Sequence, residues 1–141
     1  MRIHKMKGTY LLIIEVKMDS IFQIGKLRNV RFNKGFYVYV GSALNGLEKR
    51  ILRHTKKQKK LHWHIDYFLK DAKIVNAFYK ESNVKEECAI ATKLDKKFPS
   101  ISEFGCSDCS CKSHLFYGSY SEIINTINKL EMKRYPINAK C

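Results

Sequence analysis

Tyr37-Val38-Tyr39-Val40-Gly41-Ser42-Ala43, followed shortly by Glu48-Lys49-Arg50-Ile51-Leu52-Arg53-His54, is the stretch that decides how the chain is read. Aromatic and β-branched residues alternate up to a glycine, the pattern of a strand that ends in a turn. Ser42 can cap a helix downstream of it, although Gly46 moves the expected helix start to Leu47. Leu44, Leu47 and Ile51 recur at helical spacing and predict an inward stripe. Arg50, Arg53, His54 and Lys57 follow the same periodicity on a neighbouring, basic face. Upstream, Gly8-Thr9-Tyr10 opens a second apolar strand over residues 10–16, with Glu15 and Lys17 as its polar edge.

Outward from these two strands the pattern is one of hairpins, then helices. Asp19-Ser20 supplies turn chemistry, and residues 21–24 read as the hairpin partner of the first strand, ended by Gly25. Asn33-Lys34-Gly35 is another turn, leading into a third strand over 36–40. Residues 61–69 predict a helix with Leu61, Ile65, Phe68 and Leu69 on one face. Residues 73–79 return as a strand, and 84–98 predict a helix bearing Cys88, Ala91 and Leu94 or Asp95, stopped by Pro99. A short strand over 115–117 and a closing helix over 121–132, with Ile123, Ile124, Ile127 and Leu130 inward, complete the chain. The expected fold class is α+β: a small, mostly antiparallel β-sheet of about three to five strands flanked by helices. Residues 1–141 are expected to form a single domain.

Charge is the unusual part of the composition. There are 27 Lys and Arg against 13 Asp and Glu, a net charge of +14. A field of that sign favours polyanions, either nucleic acid or an anionic membrane surface; a lysine-rich proteome would give the same bias. No apolar run approaches the roughly 20 residues that span a bilayer. Leu11-Leu12-Ile13-Ile14 is broken by Glu15 with no small-residue cleavage site after it, so neither a membrane span nor a signal peptide is expected, and nucleic acid rather than a membrane is the expected partner. The expectation is a basic cytoplasmic protein. Its 5 cysteines are then thiols rather than disulfides. Cys88 reads as a small buried apolar residue. Cys106, Cys109, Cys111 and His114 place four soft ligands within nine residues. Zinc is one reading of that loop, but closed zinc sites usually draw ligand pairs from separated segments. Loop packing, with His114 hydrogen-bonded, is the other.

Hydrolysis of a phosphodiester needs an activated water, counter-charge for the pentavalent transition state and help for the leaving oxygen. A tyrosine hydroxyl, with an ordinary pKa of about 10, is a poor base unless cations lower it. Arginine offers a permanent charge in a fork that matches phosphate oxygens, and one carboxylate can hold a divalent metal with open water sites. This chain has candidates for every part. Gly8-Thr9-Tyr10 and Tyr39-Val40-Gly41 resemble the two half-motifs of the GIY-YIG nucleases. Gly35-Phe36-Tyr37-Val38-Tyr39-Val40-Gly41-Ser42-Ala43, Leu61-His62-Trp63-His64-Ile65-Asp66-Tyr67, Glu87-Cys88-Ala89 and Ser107-Asp108-Cys109-Ser110-Cys111-Lys112-Ser113-His114-Leu115 resemble the Uri-type branch of that superfamily. Proteins of that branch, archaeal and bacterial, are sometimes joined to endonuclease III-like repair enzymes. The resemblance covers roughly residues 8–117, leaving 118–141 as a closing helix and tail.

What the resemblance implies is a metal-dependent endonuclease hydrolysing DNA phosphodiester bonds, in a DNA-repair setting. One divalent ion, Mg²⁺ or Mn²⁺, would serve it. Structured or duplex DNA is the implied partner, along with an association with base-excision repair enzymes. Tyr10 and Tyr39 would be catalytic, one of them as base or positioner of the nucleophile. Arg50 matches the arginine of the first helix. His62 or His64 would supply a histidine farther on, and Glu87, with Glu86 as the alternative, the metal ligand. Arg53 and His54 continue a pattern found in members of the family. With Lys56, Lys57, Lys59 and Lys60 they form the expected nucleic-acid-binding run, whose attraction should weaken steeply with salt. At i and i+2 on a helix, His62 and His64 cannot share a face, so one at most is expected at the site. Trp63 either stacks on a base or anchors the core; Tyr37 is expected in packing. One departure stands out: 28 residues separate Tyr10 from Tyr39, more than in familiar members, so an extra hairpin must fill that gap. Two other readings compete. One is a non-catalytic nucleic-acid-binding module on the same scaffold, using Arg53 and residues 56–60. The other is a zinc-stabilised interaction domain built on the cysteine loop. An acid close to both tyrosines separates the nuclease from the binding module.

Overall fold

The computed structural model describes residues 6–25, 28–105 and 112–137. Its elements run β1 (Gly8–Val16), β2 (Ser20–Ile24), β3 (Arg28–Phe32), β4 (Gly35–Ala43), α1 (Leu47–Thr55), α2 (His64–Phe68), β5 (Lys73–Glu81), α3 (Glu87–Asp95), β6 (Leu115–Gly118), α4 (Tyr120–Lys129) and β7 (Lys133–Tyr135). β1 is apolar at nearly every position and buried along almost all its length, which a strand can satisfy only in the middle of a sheet with both faces covered. It lies at the centre of a five-stranded sheet of order β6-β4-β1-β5-β7, in which every neighbouring pair is antiparallel. The α+β expectation holds.

Side chains alternate between the two faces of the sheet. Tyr10, Leu12, Ile14, Tyr37 and Tyr39 share one face, packed against Leu47 and Ile51 of α1 and Ile65 and Phe68 of α2. Leu11, Ile13, Val38 and Val40 face the other way, onto Ile90, Ala91 and Leu94 of α3 and Ile123 and Ile127 of α4. Two separate apolar cores therefore clamp the same strands, and the tyrosines belong to the α1/α2 side.

Several local expectations need correction. β2 does not pair with β1; it pairs with β3 in a separate two-stranded sheet, because both edges of β1 are taken by β4 and β5. This hairpin fills the long interval between Tyr10 and Tyr39. It is one-sided, burying Phe22, Ile24, Val30 and Phe32, and it stacks on α2, with the Phe32 and Phe68 rings 4.6 Å apart. α2 starts only at His64, so His62 and Trp63 lie in the segment before it. Leu44 precedes α1 and is exposed; the inward stripe of that helix is Leu47 and Ile51. Cys88 is half-buried rather than buried. α4 ends at Lys129 with Leu130 as its cap, short of the expected end at Met132, and a further edge strand, β7, follows it. Among the described residues no helix is long and apolar enough to cross a membrane.

Candidate active site

Tyr10 and Gly41 face each other in register across β1 and β4. A Cβ at position 41 would overlap the phenol ring of Tyr10, so the glycine is what lets that ring lie against the strand. Tyr39, two residues before Gly41 and therefore on the same face, places its ring centroid 6.4 Å from that of Tyr10. The two tyrosines form part of the wall of a cleft of about 580 Å³, which is also lined by Arg50, His62, His64 and Glu87. Strand β1, strand β4, helix α1, the segment entering α2 and helix α3 each contribute to it.

Arg50 and His54 lie four residues apart on α1 and so share one helix face. The Tyr10 hydroxyl sits 2.6 Å from Nε2 of His54, and His54 is only 2% exposed. Burial, reinforced by the positive charge of Lys59, pushes the His54 pKa down to about 3, so the ring is neutral at pH 7. Burial raises the Tyr10 hydroxyl above its ordinary value, with the Arg50 guanidinium pulling the other way and Glu87 adding to the rise. Tyr39 is raised as well, first by burial and then by Tyr10 and Glu87. Both phenols are therefore protonated, and Tyr10 donates to a bare Nε2. The imidazole proton then sits on Nδ1, which has no hydrogen-bond partner among the described residues. The sequence places His54 among the surface cations. It is instead a buried partner of Tyr10, and its i, i+4 relation to Arg50 is the signal that could have placed it there.

Arg50 donates from Nη1 to the Ser42 carbonyl at 3.0 Å, and its guanidinium lies 4.6 Å from the centre of the Trp63 ring. Arg53 lies 4.5 Å from the same ring and grips Asp66 with two hydrogen bonds, 2.8 and 3.1 Å. Asp66 is fully buried. It also accepts from the main-chain N–H of His62 at 2.8 Å and of Trp63 at 2.9 Å. Burial alone would raise its pKa; the Arg53 guanidinium and those two N–H groups outweigh it and hold the carboxyl below its usual value. One buried carboxylate thus pins the whole segment that delivers His62, Trp63 and His64. Because His62 precedes the helix, the argument that a helix cannot aim both histidines at one site does not apply, and both line the cleft. Nδ1 of His64 accepts from the Gly105 N–H at 2.9 Å, which leaves its proton on Nε2. Trp63 is partly buried against the core and under both arginines.

Glu87 stands in the first turn of α3 with its side chain 18% exposed, and it lines the cleft. Nδ1 of His114, a buried ring whose pKa burial pushes down, lies 3.9 Å from Oε2 of Glu87. The His114 carbonyl accepts from Val40 N–H, tying this wall to β4. Glu86, the alternative acid, pairs with Lys80 at 3.5 Å and does not line the cleft. Glu87 is the one carboxylate among the described residues lining this open cleft, an arrangement that suits Mg²⁺ or Mn²⁺, ions that take few protein ligands and keep water or phosphate oxygens around them. Among the described residues there is no group of three metal-ligating side chains, as a closed zinc centre would need. Cys106, Cys109 and Cys111 lie outside the described residues; His114, the fourth member of the zinc reading, stands beside Glu87.

The basic run divides. The Lys59 ammonium donates to the carbonyls of His54 and Lys56 at 3.0 and 2.9 Å, closing the end of α1. Lys57 reaches the carbonyls of Leu69 and Ala72, each at 3.4 Å. Lys56 and Lys60 project into solvent. Residues 9–135 match the model of a family described as a domain of unknown function, DUF123. No curated protein and no solved structure matches the chain.

Proposed function

The chain belongs to the DUF123 family, and we propose that it acts as a metal-dependent endonuclease of GIY-YIG type, hydrolysing DNA phosphodiester bonds. One observation carries this reading: Tyr10, Tyr39, Arg50 and Glu87, scattered over four elements, line a single cleft. Glu87 beside both tyrosines favours catalysis over a purely binding module. DNA repair, alongside base-excision enzymes, is the setting we propose for it on the strength of the Uri-type resemblance.

Glu87 is the residue that would hold Mg²⁺ or Mn²⁺, which when bound supplies Lewis-acid charge to the phosphate. Arg50 adds a second fixed charge, worth most as negative charge grows on the phosphoryl oxygens. Tyr10 keeps its proton at rest and donates it in a hydrogen bond to His54, so the lone pairs of its oxygen face an attacking water. As the water attacks, its proton passes to the Tyr10 oxygen while the Tyr10 proton moves to Nε2 of His54. At rest the burial of both groups opposes that transfer; the Arg50 guanidinium eases loss of the proton from Tyr10, while its charge opposes protonation of His54. Tyr39 positions the same water as a neutral hydroxyl. His64, with its proton on Nε2, is the donor for the leaving oxygen.

The test is nicking of plasmid, flapped or branched DNA with Mg²⁺ or Mn²⁺. Nicking should vanish with EDTA and in Arg50→Ala, while DNA binding partly survives. Undiminished nicking in Arg50→Ala would remove the arginine from the mechanism, and no nicking of any DNA form would leave only the binding module.

A further inference from the structure

A second groove, of about 540 Å³, runs beside the tyrosine cleft along α1. The two have Asn45, Arg50 and Trp63 in common as a shared wall. Lys49, Arg50, Arg53, Lys56 and Lys59 line it, and among the described residues no acidic side chain does. Part of this charge is already held in place. Arg53 is clamped by the buried Asp66 carboxylate, and Lys59 is tied to the carbonyls that end α1. Lys49 and Lys56 are the exposed cations at the rim. Glu48, the one acid of α1, is engaged elsewhere, accepting from the Tyr135 hydroxyl at 2.9 Å.

Positive charge spread along a groove, with a carboxylate (Asp66) engaging only Arg53 of these cations and none among the described lining residues, fits a ligand whose negative charge repeats along its length. The shared wall says where that ligand continues. We propose that this groove seats the phosphodiester backbone of the nucleic-acid strand next to the phosphate in the tyrosine cleft, so that the strand is gripped on the α1 side of the cut. The proposal rests on reading the tyrosine cleft as a phosphodiester site. Trp63 stands between the two seats under both guanidiniums. A strand that draws Arg50 toward its phosphates, or stacks a base on the indole, changes the surroundings of that ring. Trp63 is also the only tryptophan in the chain, so its emission reports on this place alone.

The experiment uses the full chain in EDTA and a short labelled DNA duplex, so that binding is read without metal or cutting. Tryptophan emission should change on adding the duplex. In the Lys49→Gln/Lys56→Gln double variant, the slope of log K against log salt should become shallower by about 1.8, at about 0.9 per lost phosphate contact. Lys96→Gln/Lys97→Gln removes the same charge from exposed positions after α3 and should leave the slope as it is. Equal slopes in the two double variants, or emission indifferent to DNA, would overturn the groove. Its failure is separable from that of the nuclease: a shallower slope in a protein that never nicks with Mg²⁺ supports the groove without the chemistry, and nicking with an unaltered slope does the opposite.

Discussion

At position 41 one methyl group would compete with the Tyr10 ring for the same space. The glycine of the second half-motif is thus a steric consequence of the tyrosine of the first. Gly41→Ala is expected to cost about 1–3 kcal/mol through overpacking and to abolish nicking, checked by thermal unfolding and the plasmid assay. His54 leads to a pH prediction. Its pKa is about 3 in the fold against an ordinary value near 6.5. Between those values the unfolded chain takes up a proton that the folded chain refuses. Its contribution is therefore complete above about pH 6.5 and is lost as pH falls toward 3, with a slope of at most about 1.4 kcal/mol per pH unit. His54→Phe should flatten that part of the profile in urea unfolding at pH 7 and pH 4.5, whereas an unchanged slope would mean that the ring is not held neutral. Glu87→Gln should end metal-dependent nicking and Glu86→Gln should not; the reverse result would move the metal ligand by one position. The resemblance of short motifs named Tyr10, Tyr39 and Arg50 as candidates and left Glu87 and Glu86 both open; the fold puts Tyr10, Tyr39, Arg50 and Glu87 on one cleft. His54 was not legible as a buried partner, because a basic neighbourhood in the sequence looks like a solvated face until the ring that covers it is known.

Among the elements, α2 depends most on its neighbours. A helix of five residues has no stability of its own in water. It is held by Asp66, which takes hydrogen bonds from His62, Trp63 and Arg53, and by Phe68 packed on Phe22 and Phe32 of the β2–β3 hairpin. Asp66→Ala leaves the His62 and Trp63 N–H groups without their acceptor and the Arg53 guanidinium with the Lys60 carbonyl at 3.0 Å in place of its carboxylate. The expected loss is about 2–3 kcal/mol with a shift in Trp63 emission, measured by denaturant unfolding; a loss under about 1 kcal/mol would show that water replaces the carboxylate. The hairpin itself was only half visible in the sequence. β3 exposes Arg28, Asn29 and Arg31 and buries only Val30 and Phe32, too few apolar positions to stand out from a turn. Nearness in the chain points β2 toward β1, a pairing that two other strands pre-empt.

For the molecule as a whole, a charge of +14 sets two opposite responses to salt. Like charges repel within the fold, and salt of about 0.1 M shortens their reach to about 10 Å. The melting temperature should therefore rise from low to moderate ionic strength while affinity for DNA falls. A melting temperature that drops instead would mean that attractive pairs such as Arg53–Asp66 outweigh the repulsion. The chain alone determined the class of fold and the candidate chemical groups, because strand alternation, helical spacing, turn residues and short motifs are local properties. It also determined the excess charge, which is a sum. What only the tertiary structure decided is which groups meet: His54 behind Tyr10, Glu87 rather than Glu86 on the cleft, and one aspartate fixing the segment between two histidines. The first two relations join residues tens of positions apart, the third is local in the chain, and all exist only once strands and helices have packed and water has been driven from between them.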